Sequence, residues 1–284
     1  MTAIQNQLLE EHRPVPLTRL CQWLGLPRST AYYEPRERSA PQRDHAFEML
    51  VFDIVQEHPT FGVRRVWALL RFMLGRAVNK KRVARLFKRK GWSCKQRIIG
   101  GRPRVQASRS VADRPDERWS TDIALVWCGD QDGWCSFVPV IDCCTRQVLG
   151  WELAHTARAK TAERALESAL LSRFGCTRRG PAGMAIRHDN GLVFGSRLYR
   201  AVVKDYGLKQ EFITPYTPEQ NGLAERFIRS FKEECAWQHR FESIDQARSM
   251  IAKWINWYNT GRPHQALSYK TPEAVYAQWR KAAA

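Results

Sequence analysis

Residues 119–155, WSTDIALVWCGDQDGWCSFVPVIDCCTRQVLGWELAH, decide the architecture of this 284-residue chain. Ile123 to Trp127 reads as a strand, Cys128 to Gly133 as a hairpin turn, Trp134 to Cys144 as a second strand and Gln147 to His155 as a third. β-branched and aromatic residues fill these runs, and Gly and Asp punctuate them. Downstream the pattern alternates. A helix over Lys160 to Phe174 carries Ala162, Ala165, Leu166, Ala169 and Leu170 on its buried side. A short strand follows at Met184 to His188, then a helix at Ser196 to Tyr206, a strand at Lys209 to Ile213 and a helix at Gly222 to Cys235. Antiparallel strands followed by alternating helices and strands predict a mixed α/β sheet covered on both faces. A tail helix, Asp245 to Tyr258, places Ile251, Trp254, Ile255 and Tyr258 on one side.

Three acids stand out against this frame. Asp122 lies within an apolar strand, where a lone charge is costly unless it is paired or bound to a metal. Asp189 lies 67 positions further on in IRHDNG (186–191), a strand-to-loop turn whose Asn and Gly predict left-handed backbone. An Asp that only caps a turn would look the same. Glu225 follows after a gap of 35 residues, in YTPEQNGLAERFIRSFKEE (216–234). At about 100° per residue, Arg229 and Lys232 fall within about 40° of Glu225, while Leu223, Ala224, Phe227, Ile228, Phe231 and Cys235 take the apolar side. Glu233 and Glu234 point elsewhere. A surface Glu–Arg pair at i, i+4 accounts for Glu225 and Arg229 equally well. Carboxylates are the ligands a hard cation requires, and Mg²⁺ is usually held by a few of them plus substrate phosphates. Converged at about 5 Å, the three would repel by about 3 kcal/mol per pair at an effective dielectric of about 20, so a cation is needed between them.

The front of the chain supplies the positive charge. Residues 1–115 hold 23 Lys and Arg against 9 Asp and Glu, a balance of +14 out of the whole chain's +18. Within PLTRLCQWLGLPRSTAYYEP (16–35), Leu17, Leu20 and Leu24 mark one helix, Gly25 ends it, and Pro27 opens a second that exposes Arg28. A helix-turn-helix and an ordinary helical hairpin both fit this outline. Two further stripes run through Phe47 to Val55 and Val63 to Leu74, and Asn79 then caps a basic helix closed by Gly91. On that helix Val83, Leu86 and Phe87 face inward, whereas Lys80, Lys81, Arg82, Arg85, Lys88, Arg89 and Lys90 spread around the rest without one acid. A polyanion offsets such repulsion, so a DNA-binding helix is expected. Residues 93–117, rich in Gly, Pro, Ser and Arg, read as a basic linker. The eight Cys (21, 94, 128, 135, 143, 144, 176 and 235) form no CxxC pair, which excludes a zinc ribbon or disulfide framework. No run resembles a signal peptide or approaches a membrane span, so a reduced, cytoplasmic protein is expected.

The blocks WSTDIALVW, IDCCTRQVLGW, RHDNG and TPEQNGLAERFIRSFK resemble the retroviral-integrase-like catalytic core of bacterial insertion-sequence transposases, most nearly the OrfB subunit of the IS-three type. FGVRRVWALL (61–70) with the basic helix after it, and WYNTGRPHQALSYKTPEAVY (257–276), extend the resemblance over most of the chain. The resemblance implies an RNase H-like core preceded by helix-turn-helix-like DNA-binding modules. The expected divisions are 1–40 (helix-turn-helix-like), 41–92 (basic helical), 93–117 (linker), 118–240 (catalytic core) and 241–284 (helical tail). It further implies that Asp122, Asp189 and Glu225 are the catalytic triad and hold two Mg²⁺ or Mn²⁺ ions for metal-dependent cleavage and transfer of insertion-sequence ends. Lys232 and Arg229 then contact terminal DNA, and Asn221 with Gln220 shapes the loop beside the site, Asn221 also being counted among the DNA contacts. Arg28, Lys80, Lys81, Arg82, Arg85, Lys88 and Arg89 complete the expected interface to double-stranded DNA. Asn259, Arg262 and His264 are expected to support the core, a role at DNA being the other reading. A homo-oligomer on DNA and an upstream OrfA-type partner are implied; the His-His-Cys-Cys module of retroviral integrases is not evident. Two competing readings remain at this level: a catalytically silent binder of element ends, and a nuclease on the same fold that hydrolyses without joining.

Overall fold

The computed structural model describes residues 2–33, 44–93, 112–175, 181–214 and 218–283. It divides into two units, Met1–Ala46 and Phe47–Ala284. The first contains α1 (Thr2–Glu10), α2 (Leu17–Trp23) and α3 (Arg28–Ala31). Leu20 and Cys21 are its buried side chains on α2, Gly25 follows α2 with φ 61°, and Pro27 precedes α3 in an extended conformation. The helix expected after Pro27 is thus a single turn among the described residues, with Arg28 exposed at its start.

The second unit is built on a mixed sheet. Its strands are β1 (Arg118–Thr121), β2 (Ala124–Trp127), β3 (Trp134–Asp142), β4 (Val148–Ala154), β5 (Ala185–His188) and β6 (Lys209–Phe212). Its helices are α4 (His45–Glu57, whose first two residues belong to the other unit), α5 (Val63–Ala68), α6 (Lys80–Lys90), α7 (Ala159–Phe174), α8 (Leu192–Gly195), α9 (Arg197–Asp205), α10 (Gly222–Phe231), α11 (Ile244–Thr260) and α12 (Pro272–Ala283). β1 and β2 pair with the same edge of β3 in one register, Thr121 opposite Val140 and Ala124 opposite Phe137. They are two halves of one strand broken at Asp122 and Ile123. β4 occupies the other edge of β3, antiparallel, while β5 runs parallel to β1 and β6 parallel to β5. The half formed by β1 escaped the sequence reading because RWST offers no apolar run: its polar Ser120 and Thr121 are nonetheless buried.

Both faces are covered, as expected. On one, Trp119, Val138, Val140 and Leu149 pack against Ala165, Leu166, Ala169 and Leu170 of α7 and Tyr199, Val202 and Val203 of α9. Gly150 makes this possible, since a Cβ there would stand 2.3 Å from the backbone nitrogen of Ala169. On the other face, Phe137, Ile141 and Leu153 meet Phe227 and Phe231 of α10 and Ile251, Trp254, Ile255 and Tyr258 of α11. Full burial of each such large apolar side chain contributes about 1.5–3 kcal/mol. The 240/241 division is therefore not a boundary of packing, because α11 closes one face of the sheet.

Nor does the basic helical region stand apart. Val51 and Ile54 of α4, Phe61, Val66 of α5, and Val83, Leu86 and Phe87 of α6 form a third core, against which Trp257 of α11 packs. His58 lies between Phe61 and Trp257, with ring centroids 4.8 and 4.7 Å away. Aromatic contacts bury apolar area without a charge to desolvate, so they weld the helical region to α11. Asn79 caps α6 by accepting from Lys81 N–H, and Gly91 ends it at φ 69°. The cations of α6 are exposed, but α4 supplies the acid that its own sequence lacks: Glu48 pairs with Arg89 and with Lys90. Two helices expected to be uniformly α widen into π turns at their ends, over Leu69–Met73 and Lys232–Ala236.

Candidate active site

The first expected site residue, Asp122, lies at the break between β1 and β2. There Asp122 leaves the ladder and its Oδ1 accepts the N–H of Ile123 at 2.8 Å. Ser120 of β1 pairs with Arg187 of β5 in parallel register, so Asp122 and Asp189 each lie two residues beyond a matched pair on adjacent strands. Asp189 Oδ1 accepts the N–H of Gly191 at 3.0 Å. The left-handed turn expected here is absent, since Gly191 has φ −59°. Glycine instead leaves room for the carboxylate: a Cβ would come within 2.9 Å of Asp189 Oδ1, which would have to turn aside.

α10 delivers Glu225 to the same end of the sheet. Its start is clipped to β1 through Asn221, whose Oδ1 accepts the Ser120 hydroxyl at 2.6 Å and whose Nδ2 reaches the carbonyl of Thr121 at 3.5 Å. Glu225 sits one turn further on, exposed in the first turn of the helix, where the helix dipole favours a carboxylate. The electrostatics join these elements. Burial raises the Asp122 carboxyl to about 6; the Ile123 N–H opposes this, the charges of Asp189 and Glu225 reinforce it, and Lys232 opposes it. Asp122, Asp189, Glu225 and Lys232 therefore share one field. Among the described residues no three acidic, His or Cys side chains form a ready-made metal cage. The donor set is all carboxylate oxygen and one member is partly buried among negative neighbours, which fits a hard divalent cation.

Other expected site residues divide by what they touch. Arg229 pairs with Glu233 at 3.0 Å, and Lys232 is half-buried at the junction of α10 with its π turn. Glu234 is taken by arginines: Arg65 Nη1 at 2.8 Å and a two-pronged contact from Arg262, both distances 2.7 Å. Asn221 requires a correction. It is 2% exposed with its amide engaged inside the protein, so it positions α10 and does not reach DNA. Asn221→Ala is expected to lower stability by about 1–3 kcal/mol by stranding the Ser120 hydroxyl and to slow joining without weakening DNA affinity. Denaturation and gel-shift titrations on the variant separate this role from a direct contact, which would weaken affinity alone. Gln220 behaves as expected of a loop-shaping residue, its Oε1 accepting Thr214 N–H at 2.7 Å and its carbonyl accepting from Arg187 at 3.2 Å. Lys81, Arg85 and Lys88 of α6 have no carboxylate partner among the described residues, and Arg82 lies over the ring of Phe47 at 4.2 Å.

The tail residues are structural supports. Asn259 brackets β4, accepting from Val148 N–H at 3.0 Å and donating to Val148 carbonyl at 2.8 Å. His264 is buried, and burial together with Arg262 lowers it to about 3. Its folded value lies below its unfolded one, so the unfolded chain takes up the proton first. Stability is full above about pH 6.5 and declines as pH falls toward 3, by up to about 1.4 kcal/mol per pH unit for this group. Urea titrations of the wild type and His264→Gln between pH 7 and 5 are expected to diverge by that slope; parallel curves would remove His264 from the pH dependence. Residues the sequence reading missed include Ser120, Arg65 and Glu211, which pairs with both Arg118 and Arg187. Only a polar residue at a buried strand position could have flagged Ser120.

The chain is similar in sequence to known proteins over most of its length. The Integrase core domain family matches residues 112–218 and again 206–272, and the HTH-like domain family matches residues 42–98. A 31.7 kDa protein of insertion element IS407 from Burkholderia multivorans is 31% identical over 287 residues, covering 100% of this chain and 96% of the relative. A 39.2 kDa protein of insertion element IS476 from Xanthomonas euvesicatoria is 30% identical over 98% of this chain and 77% of its own. Transposase InsD of insertion element IS2 from Escherichia coli is 26% identical over 85% and 81%. The mixed sheet is the RNase H-like core, and α4 to α6, within residues 42–98, are the HTH-like part, which falls on the region expected to be a basic helical module and not on residues 1–40. The chain belongs to the IS-three family of insertion-sequence transposases and is a DDE-type polynucleotidyl transferase with an integrase-like core.

Proposed function

We propose that Asp122, Asp189 and Glu225 together hold two Mg²⁺ or Mn²⁺ ions and carry out both cleavage and joining of insertion-sequence ends. The observation that supports this most is the shared field of the three acids and Lys232 at the break in the first strand. When bound, the ions supply activation of the attacking oxygen and stabilisation of the leaving oxygen in an in-line phosphodiester displacement. Asp122 and Asp189 offer oxygen ligands from adjacent strand ends, and Glu225 closes the set from α10. Asn221 fixes the angle of that helix. Lys232 holds a phosphate of the terminal DNA beside the acids, with Arg229 next to it on the same face. The exposed cations of α6 and Arg28 of α3 hold the double-stranded DNA. Two ends must be handled together, so at least two protomers assemble on DNA, with an upstream OrfA-type partner. The setting is the bacterial cytoplasm, on the nucleoid. No helix among the described residues is long and apolar enough to cross a membrane. Incubating the protein with labelled end DNA, target DNA and Mn²⁺ tests the proposal: a covalent donor-to-target product is expected. Hydrolysis without that product would indicate a nuclease, and a gel shift alone a silent binder.

A further inference from the structure

A second basic feature, lined by no residue of α6, is a cleft open to the surface, where Arg64 and Arg226 are exposed. Five arginines line one cavity of about 400 Å³: Arg64 and Arg65 on α5, Arg146 in the β3–β4 turn, Arg226 on α10, and Arg262 after α11. One carboxylate serves them. Glu234 is fully engaged by Arg65 and Arg262, and among the described residues Arg64, Arg146 and Arg226 have no carboxylate within ion-pair distance. Burial, first, and the charges of Arg262 and Arg226 pull the Arg65 guanidinium below its usual value, with Glu234 opposing. His264, on the same wall, is kept neutral by burial and the surrounding arginines, so it adds no further charge. Clustered like charges of this kind leave a standing attraction for an anion. Two residues on the lining, Arg146 and Tyr269, adopt φ 64° and 65°, a backbone region that residues other than glycine seldom enter. Tyr269 is held there by stacking on Phe72 at 5.4 Å and an edge contact with Trp67.

The cavity is not wholly polar: Leu223, Phe227, Tyr258 and Tyr269 add apolar and aromatic surface to its lining, with Arg262 lying over the Tyr258 ring at 5.4 Å. Guanidinium groups match phosphate oxygens in planar, two-pronged contacts, and aromatic rings accept a base or sugar face. The volume suits one nucleotide and not a duplex. Arg226 directly follows Glu225 on α10, which places any occupant on the helix that carries a proposed catalytic acid. We infer that this pocket binds a phosphate-bearing nucleotide of a DNA strand turned out of the duplex. The inference rests on the reading of the chain as acting on DNA ends and adds a second contact for that DNA, distinct from α6.

Arg64→Gln/Arg146→Gln tests it, because neither arginine takes part in the Glu234 pairing. The probe is a 5′-phosphorylated five-nucleotide thymidine strand, followed by fluorescence anisotropy at low salt, with dTMP and inorganic phosphate as competitors. The double variant is expected to bind the strand about tenfold more weakly than the wild type. Equal binding by the double variant and the wild type would overturn the inference. Competition by dTMP or phosphate as tight as by the strand would also overturn it, marking a site for a free phosphorylated small molecule. Should the double variant fail to fold, wild-type protein is treated with an arginine-selective dicarbonyl and mapped by mass spectrometry. The strand is expected to protect Arg64 and Arg146, and unprotected modification of both would count against the pocket. Loss of joining in all assays with pocket binding intact would refute only the catalytic reading, whereas intact joining with unchanged strand binding in the double variant would refute only the pocket.

Discussion

Asp122→Asn is expected to slow Mg²⁺-dependent joining by about 10³-fold, the equivalent of roughly 4 kcal/mol in the barrier. Asn keeps the size of the side chain and one oxygen to accept the Ile123 N–H, so the strand break survives. It removes the negative charge at the point where the fields of Asp189, Glu225 and Lys232 meet. DNA affinity is expected to change by less than about twofold, because the exposed cations of α6 are untouched. Single-turnover joining on a denaturing gel and a gel-shift titration on the same preparation give the two numbers. A variant that joins DNA at more than about a tenth of the wild-type rate would show that Asp122 is a structural acid of the strand break.

Glu234→Ala is expected to lower stability by about 3–5 kcal/mol, since it leaves the buried guanidinium of Arg262 and the half-buried one of Arg65 without a counter-charge. In a unit of this size such a loss corresponds to a fall in Tm of about 10 °C. The contact is more than a local pair. Glu234 lies in the π turn after α10, Arg65 on α5 and Arg262 beyond α11, so one carboxylate ties the helical region and the tail to the helix bearing Glu225. Thermal unfolding followed by circular dichroism measures it. A change below about 1 kcal/mol would mean that the aromatic contacts around Trp257 hold the junction alone.

Much of this was legible in the sequence. The hairpin tip Cys128–Gly133, the alternation after His155 and the caps of α6 follow from local chemistry, and the structure has them within a residue or two. The apolar side of α10 was readable because helical phase is local, and Leu223, Phe227 and Phe231 lie where the phase puts them. What required the fold was non-local. β1 hides in a polar tetrapeptide whose burial depends on Asn221, 101 positions away from Ser120. Gly191 looked like a turn glycine because sequence shows the residue and not the carboxylate pressed against it. Nothing local marks Glu48 or Glu234 in the sequence, because the arginines that pair with them are distant along the chain. The packing of the tail helix on the core was not legible for the same reason, since Trp254 and Tyr258 meet Phe227 of α10 only in the fold.

The unity of the three acids is tested most directly by comparing joining rates of Asp122→Asn, Asp189→Asn, Glu225→Gln and the triple variant under one set of conditions. Groups that act as one site are strongly non-additive, so the triple variant is expected to be no slower than any single one. Losses that multiply across the three substitutions, or joining retained in any single variant, would contradict a common site at the break in the first strand.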